Sequence, residues 1–141
     1  MSARAMAGLR PVPANGTDRR ATYCGPTALS AITNRPPERF VTWPNRRRVG
    51  MRPLEVVTAL QLLCGVNTRE ERFPAHERLS LWRFCRPSRR GIAHIRGHWI
   101  AVDGFTVCDS ITRRTTWVAD HPKRNAKVVG FISVPERRAK P

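Results

Sequence analysis

A chain of 141 residues points to one domain, large enough to bury a core without metal or disulfide support. Its 26 Lys and Arg against 10 Asp and Glu give a formal net charge of +16, so nucleic acid, an anionic polymer or an acidic protein is the complementary partner and a solvated basic surface is the alternative. No run of 18 apolar residues is present and the opening MSARAMAGLRPVP lacks the apolar core of a signal peptide, so the expectation is a soluble cytoplasmic protein without a membrane span.

Residues 1–20 carry Pro11, Pro13, Asn15 and Gly16 with no apolar period, and read as an extended or mobile lead-in. The fold is expected to begin near Thr22. In TYCGPTALSAITN a helix should open at Cys24, with Pro26 at an early helical position and Ala28, Leu29 and Ile32 at helical spacing. Pro36 and Pro37 cannot continue it, which places its end near Asn34. Residues 35–50 read as a connection anchored by Phe40, Val41 and Trp43, with Arg46, Arg47 and Arg48 in solvent.

A second helix is predicted from Pro53 to Leu63, with Leu54, Val57, Leu60 and Leu63 facing the first helix and Gly65 as the stop. Residues 66–75 are charged, and HERLSLWRFCR from His76 predicts a short third helix with Leu79, Trp82 and Cys85 on one face. After Pro87 and Gly91 the period changes, predicting strands at 91–96, 98–103, 105–109 and 127–134. Helices before strands define an α+β domain over residues 21–136, with N-terminal helices packed on an antiparallel sheet and a basic tail at 137–141.

The stretch GHWIAVDGFTVCDS, from Gly97 to Ser110, carries the chemistry. With Asp103 and Gly104 as a two-residue type I′ turn, Val102 pairs with Phe105, and counting outward sets His98 opposite Asp109. Opposed residues hold their Cβ atoms about 4.5–5.5 Å apart, close enough for a carboxylate to orient an imidazole. Ile100, Val102, Phe105 and Val107 share that face and are expected to floor the site, while Trp99 turns to the other face. Cys24 supplies a nucleophile at a helix start, where unpaired N–H groups and the dipole favour thiolate.

The other three cysteines, Cys64, Cys85 and Cys108, read as small core residues, and the wide spacing of all four shows neither a disulfide framework nor a CxxC pair. His94 and His98 stand four apart, but on strands that spacing does not build a zinc site, and no Glu follows His94. No metal and no cofactor are expected.

These residues resemble the papain-like cysteine peptidase superfamily. A cysteine opening a helix as xCGPxAL, followed about seventy residues later by GHWIAVDGFTVCDS, is similar to its bacteriocin-leader-processing branch and to related small bacterial and phage proteins. The resemblance covers most of residues 22–134. It implies Cys24 as nucleophile, His98 as base and Asp109 as the orienting carboxylate, acting on a peptide or isopeptide bond of a peptide or protein substrate in a cytoplasmic or phage-associated setting. The same triad also serves acyltransferases and amidases, and a papain-like scaffold with weak chemistry would leave the basic surface, with clusters at Arg46–Arg48, Arg86–Arg90 and Arg113–Arg114, as a nucleic-acid- or protein-binding module.

The family's upstream glutamine has no counterpart here, since the one Gln is Gln61. Asn15, Asp18 and Thr22 are the nearby candidates for its oxyanion role, although the charge of Asp18 opposes an oxyanion. The backbone N–H of Cys24 is a further donor.

Overall fold

The computed structural model describes residues 9–15, 19–41 and 50–135. Trp43, Asp18, the Arg46–Arg48 cluster and the tail at 137–141 lie outside them. Three helices, α1 (Cys24–Thr33), α2 (Pro53–Cys64) and the single turn α3 (Leu81–Phe84), accompany six strands. The strands are β1 (Glu70–Arg72), β2 (Arg90–Ile95), β3 (His98–Asp103), β4 (Thr106–Cys108), β5 (Thr116–Trp117) and β6 (Val128–Ser133). They form one antiparallel sheet in the order β1-β6-β2-β3-β4-β5. The α+β class read from the sequence is therefore the class observed.

α1 begins at Cys24 and is stopped by Asn34, which takes the left-handed conformation (φ 58°) and donates its N–H to Ser30 O. Asparagine tolerates that conformation, so the helix ends one residue before the prolines can enforce it. Gly25 through Ile32 are all buried, because α1 lies between the sheet and the segments wrapped around it. At its far end Arg90 donates one guanidinium N–H to Ile32 O at 3.0 Å and another to Val134 O at 2.9 Å. That places a cation on the negative end of the helix dipole.

Residues 9–15 of the lead-in are tied to the fold. Leu9 is fully buried, its N–H donates to Thr115 Oγ1 at 3.1 Å, and the Thr115 hydroxyl donates back to Leu9 O. Val12 N–H reaches Ser30 Oγ at 2.8 Å and Asn15 N–H reaches the Glu38 carboxylate at 2.6 Å. Residues 9–15 are thus an extended strap, and the fold begins well before Thr22. A lone leucine among prolines offered no period by which to read this.

The sheet is covered on both faces. Ile92, Trp99, Ala101, Cys108 and Ile132 pack with Leu29, Ile32, Phe40, Val56 and Leu60, joining α1 and α2 to one face. Ala93, Ile95, Ile100, Val102, Val107 and Val128 pack on the other face with Leu81, Phe84 and Val118.

Two predicted helix faces are rotated. In α2, Leu54 stands 75 % exposed and the buried residues are Val56, Val57, Ala59 and Leu60. In the third helical segment Leu81, Phe84 and Cys85 are buried, while Leu79 and Trp82 are exposed. The reason is backbone pairing: Leu81 N–H donates to Ala126 O, Trp82 N–H to Arg124 O, and Val128 N–H to Leu79 O. Residues 79–82 therefore lie along the 124–128 segment, and only one helical turn remains.

The central hairpin turns one residue later than expected. Asp103 pairs with Thr106, so Gly104 and Phe105 form the loop. Only Gly104 has a positive φ (62°), which matches a type II′ turn with glycine first. The register slips by two residues against Val102–Phe105 pairing and now sets Val102 opposite Val107 and Ala101 opposite Cys108. A two-residue slip keeps every side chain on its face. It also removes the direct opposition of His98 and Asp109.

Candidate active site

Cys24 occupies the first position of α1, after Tyr23 in extended geometry. Tyr23 N–H donates to Arg20 O and Thr27 N–H to Tyr23 O, and Pro26 has no N–H. That leaves the N–H groups of Cys24 and Gly25 without intrahelical acceptors at the positive end of the helix. A larger residue than Gly25 would force the Met51 side chain to move. A Cβ at that position would lie 2.7 Å from Met51 Sδ. Met51 crosses the helix start and is held by Trp99, whose indole N–H donates to Met51 O at 3.0 Å.

His98 opens β3 directly after the tight Arg96–Gly97 turn, in which Gly97 has φ 71°. Its Nε2–H donates to Asp109 Oδ2 at 2.6 Å, which leaves Nδ1 as the other ring nitrogen, and the Cys24 thiol is close enough that thiol and ring shift each other's protonation. The slipped register is bridged because Asp109 leaves the sheet after β4 and turns its carboxylate back. Asp109 is fully buried, and its Oδ1 accepts from Ile111 N–H at 3.1 Å, Thr112 N–H at 2.9 Å and the Thr112 hydroxyl at 3.2 Å. The aspartate both starts a turn and orients the imidazole, so the two readings of it are one arrangement.

His121 was not singled out in the sequence. Its ring is fully buried and its Nε2–H donates to the same Asp109 Oδ2 at 2.8 Å. Lys123 N–H donates to His121 Nδ1 at 2.9 Å, which fixes the proton on Nε2. One carboxylate oxygen thus serves two imidazoles. A histidine between Asp120 and Pro122 in a loop has no local pattern that marks it, and only the three-dimensional path of residues 109–121 reveals its partner.

The electrostatics follow from these contacts. Burial pushes the Cys24 thiol up, but hydrogen bonding from His98, the Trp99 and Gly25 N–H groups and the His98 charge outweigh it and hold the thiol below its ordinary 9.0. Burial pulls His98 down, yet its hydrogen bonds to Asp109 and Cys24 and their charges raise it to about 9. For Asp109, burial is outweighed by hydrogen bonds from His121, His98 and Thr112, and its carboxyl is held well below the usual range. Each group thus favours the charged form of the other, and His98 is imidazolium near neutrality. All four cysteines are free thiols, but burial pushes Cys85 and Cys108 up to about 12 and raises Cys64 as well.

The structure brings together Cys24, His98 and Asp109. It does not bring the expected floor beneath the thiol. Ile100, Val102 and Val107 lie in the core on the far face, whereas Cys24 packs against the cluster containing Trp99, Ala101 and Cys108. The slip in register moves Phe105 into the turn, where it is 49 % exposed. Among the oxyanion candidates, the Thr22 hydroxyl donates to Arg19 O at 2.7 Å, so its proton is not offered to a substrate. Asn15 is tied through its backbone to Glu38, and Asp18 lies outside the described residues. The Cys24 N–H, at the start of α1, is a further donor.

Among the described residues no group of three or more His, Cys, Asp or Glu is placed to hold a metal ion, and no helix is long and apolar enough to cross a membrane. His94 stacks on Trp99 at 4.0 Å from within β2. Fold and side chains define an α+β domain carrying a cysteine–histidine–aspartate constellation. No family model matches the chain, and no curated protein or solved structure matches it either.

Proposed function

We propose that the protein is a papain-like cysteine peptidase that cleaves a peptide or isopeptide bond. The observation that carries this reading is the His98 ring, which spends Nε2 on a buried carboxylate at 2.6 Å and keeps Nδ1 for a thiol at a helix N-terminus. That arrangement supports an activated nucleophile, its base and its orienter.

In this mechanism the Cys24 thiolate attacks the carbonyl carbon and its electrons pass to the carbonyl oxygen, which accepts from the Cys24 N–H. Collapse of the tetrahedral species expels the amine, which takes the proton from the His98 imidazolium. The neutral imidazole then removes a proton from water, the hydroxide attacks the thioester, and the sulfur departs as thiolate while the acid is released. Asp109 stays ionised and keeps the ring aligned. The net charge of +16 steers acidic substrates, so encounter slows as salt rises.

Intact-mass analysis after brief treatment with a mild thiol alkylator between pH 5 and 9 tests this. Cys24 should react first and at low pH in the wild type, and His98→Ala should abolish that preference. Equal, slow reaction of all four cysteines would remove the nucleophile from the scheme.

A further inference from the structure

At the turn end of the central hairpin a groove of about 700 Å³ is lined by Trp82, Arg83, Phe105, Trp117, Val118 and Ala119. Trp82 is 45 % and Phe105 49 % exposed, which leaves two large aromatic side chains facing water. Contiguous exposed apolar surface of this kind marks a binding site more often than a packing accident. The groove is remote from the thiol. β3 runs six residues from His98 to Asp103, so the turn lies about 17 Å from the imidazole end of the strand.

The rim is basic. Arg83 lines the groove, and exposed Arg124 is on the neighbouring segment, its backbone carbonyl accepting the Trp82 backbone N–H at 3.1 Å and its guanidinium donating to His121 O at 3.3 Å. Exposed Arg86 precedes Pro87, whose backbone approaches within 4 Å of the space beside Gly104. We infer that this groove docks an acidic polypeptide segment through an aliphatic or aromatic anchor residue. The lining offers van der Waals contact and almost no hydrogen-bonding groups, which suits an apolar side chain and leaves the polar edges of a nucleobase unsatisfied. Stacking is also obstructed, because the Arg83 guanidinium already sits 5.1 Å over the Trp82 ring. The charges at the rim pair with flanking Asp or Glu of the segment, setting its approach and its specificity. This surface works independently of the chemistry at Cys24.

The test is fluorescence anisotropy with a fluorescein-labelled dodecapeptide of Glu and Ser bearing a central Phe-Leu pair. It is run beside a version with Lys for Glu, a version with Ser for the Phe-Leu pair, and labelled dT12. The first peptide should bind, and both altered peptides should bind at least tenfold more weakly. Trp82→Ala and Phe105→Ala should each weaken binding at least fivefold, their exposed side chains making both changes compatible with the fold, whereas Cys24→Ala should leave it unchanged. Binding indifferent to both groove substitutions, or to loss of the Phe-Leu pair, would overturn the inference. So would tighter binding of dT12 that the same two substitutions abolish.

Discussion

Replacing Asp109 by Asn keeps the shape of the side chain and removes its charge, and the hydrogen bonds around it make the cost calculable. Oδ2 accepts from the two imidazoles and Oδ1 from two backbone N–H groups and a hydroxyl, all at a fully buried site. An amide has one oxygen. Turned toward the loop, it presents its NH2 to His98 and His121. His98 can exchange tautomer and accept, but His121 cannot, because its Nδ1 already holds the Lys123 N–H. Turned the other way, the amide orphans the N–H groups of Ile111 and Thr112. Each buried donor left unpaired costs about 1–3 kcal/mol, and loss of the charge raises the total to roughly 3–5 kcal/mol. For a chain of this length that is a fall in Tm of about 10–15 °C. Thermal unfolding followed by circular dichroism, with Cys24 alkylation at pH 6 in parallel, reads both consequences. A variant melting within about 3 °C of wild type and alkylating at the same rate would refute the reasoning.

His98, raised to about 9, contributes stability that is full below its ordinary 6.5 and lost as pH rises through about 9, while Cys24, lowered from 9.0, contributes stability that is full above 9.0 and lost as pH falls. The two oppose each other on the acid side of pH 9, so Tm should change less between pH 6.5 and 9 than turnover of an amide substrate, which declines near pH 9; parallel decline of both would contradict the paired assignment. Below pH 4, protonation of Asp109 should lower Tm steeply in the wild type, and Asp109→Asn should flatten that limb in a pH series of melts. His121→Phe removes one donor from the shared oxygen and should cost about 1.5–3 kcal/mol. It should also move the His98 ring titration, followed by NMR, to higher pH; an unmoved titration would show the two imidazoles to be independent. Gly91→Ala would place a Cβ 2.1 Å from Ile132 O between β2 and β6, and should lower the urea midpoint by the equivalent of about 3 kcal/mol or more.

Much of the site was legible because its geometry is local. Cys24 opens a helix whose start is written in Pro26 and the following apolar spacing, and His98 and Asp109 sit on either side of one hairpin. The turn was misread by one residue, since Asp-Gly suits a type I′ loop and this hairpin uses Gly-Phe; the predicted opposition of His98 and Asp109 was lost, and their contact comes from Asp109 turning back past the end of β4. The same slip moved Phe105 into the turn. What stayed hidden depends on contacts distant in sequence. Leu9 meets Thr115, His121 meets Asp109 across a loop, and β1 is a run of Glu and Arg that becomes a strand only because β6 pairs with it. Charged edge strands carry no alternating apolar pattern to read.

The sheet order has a kinetic consequence. β6, the last strand in chain order, lies inside the sheet between β1 and β2, and the Leu9 strap closes on Thr115 across 106 residues. Pairings this remote in sequence raise contact order and place folding on the millisecond-to-second scale of all-β topologies. During synthesis β1 and β2 are made long before the strand that joins them, so both present open edges while they wait. Cys24 emerges first and His98 and Asp109 more than seventy residues later, so in the proposed mechanism the nascent chain has no activated thiol until its second half has folded.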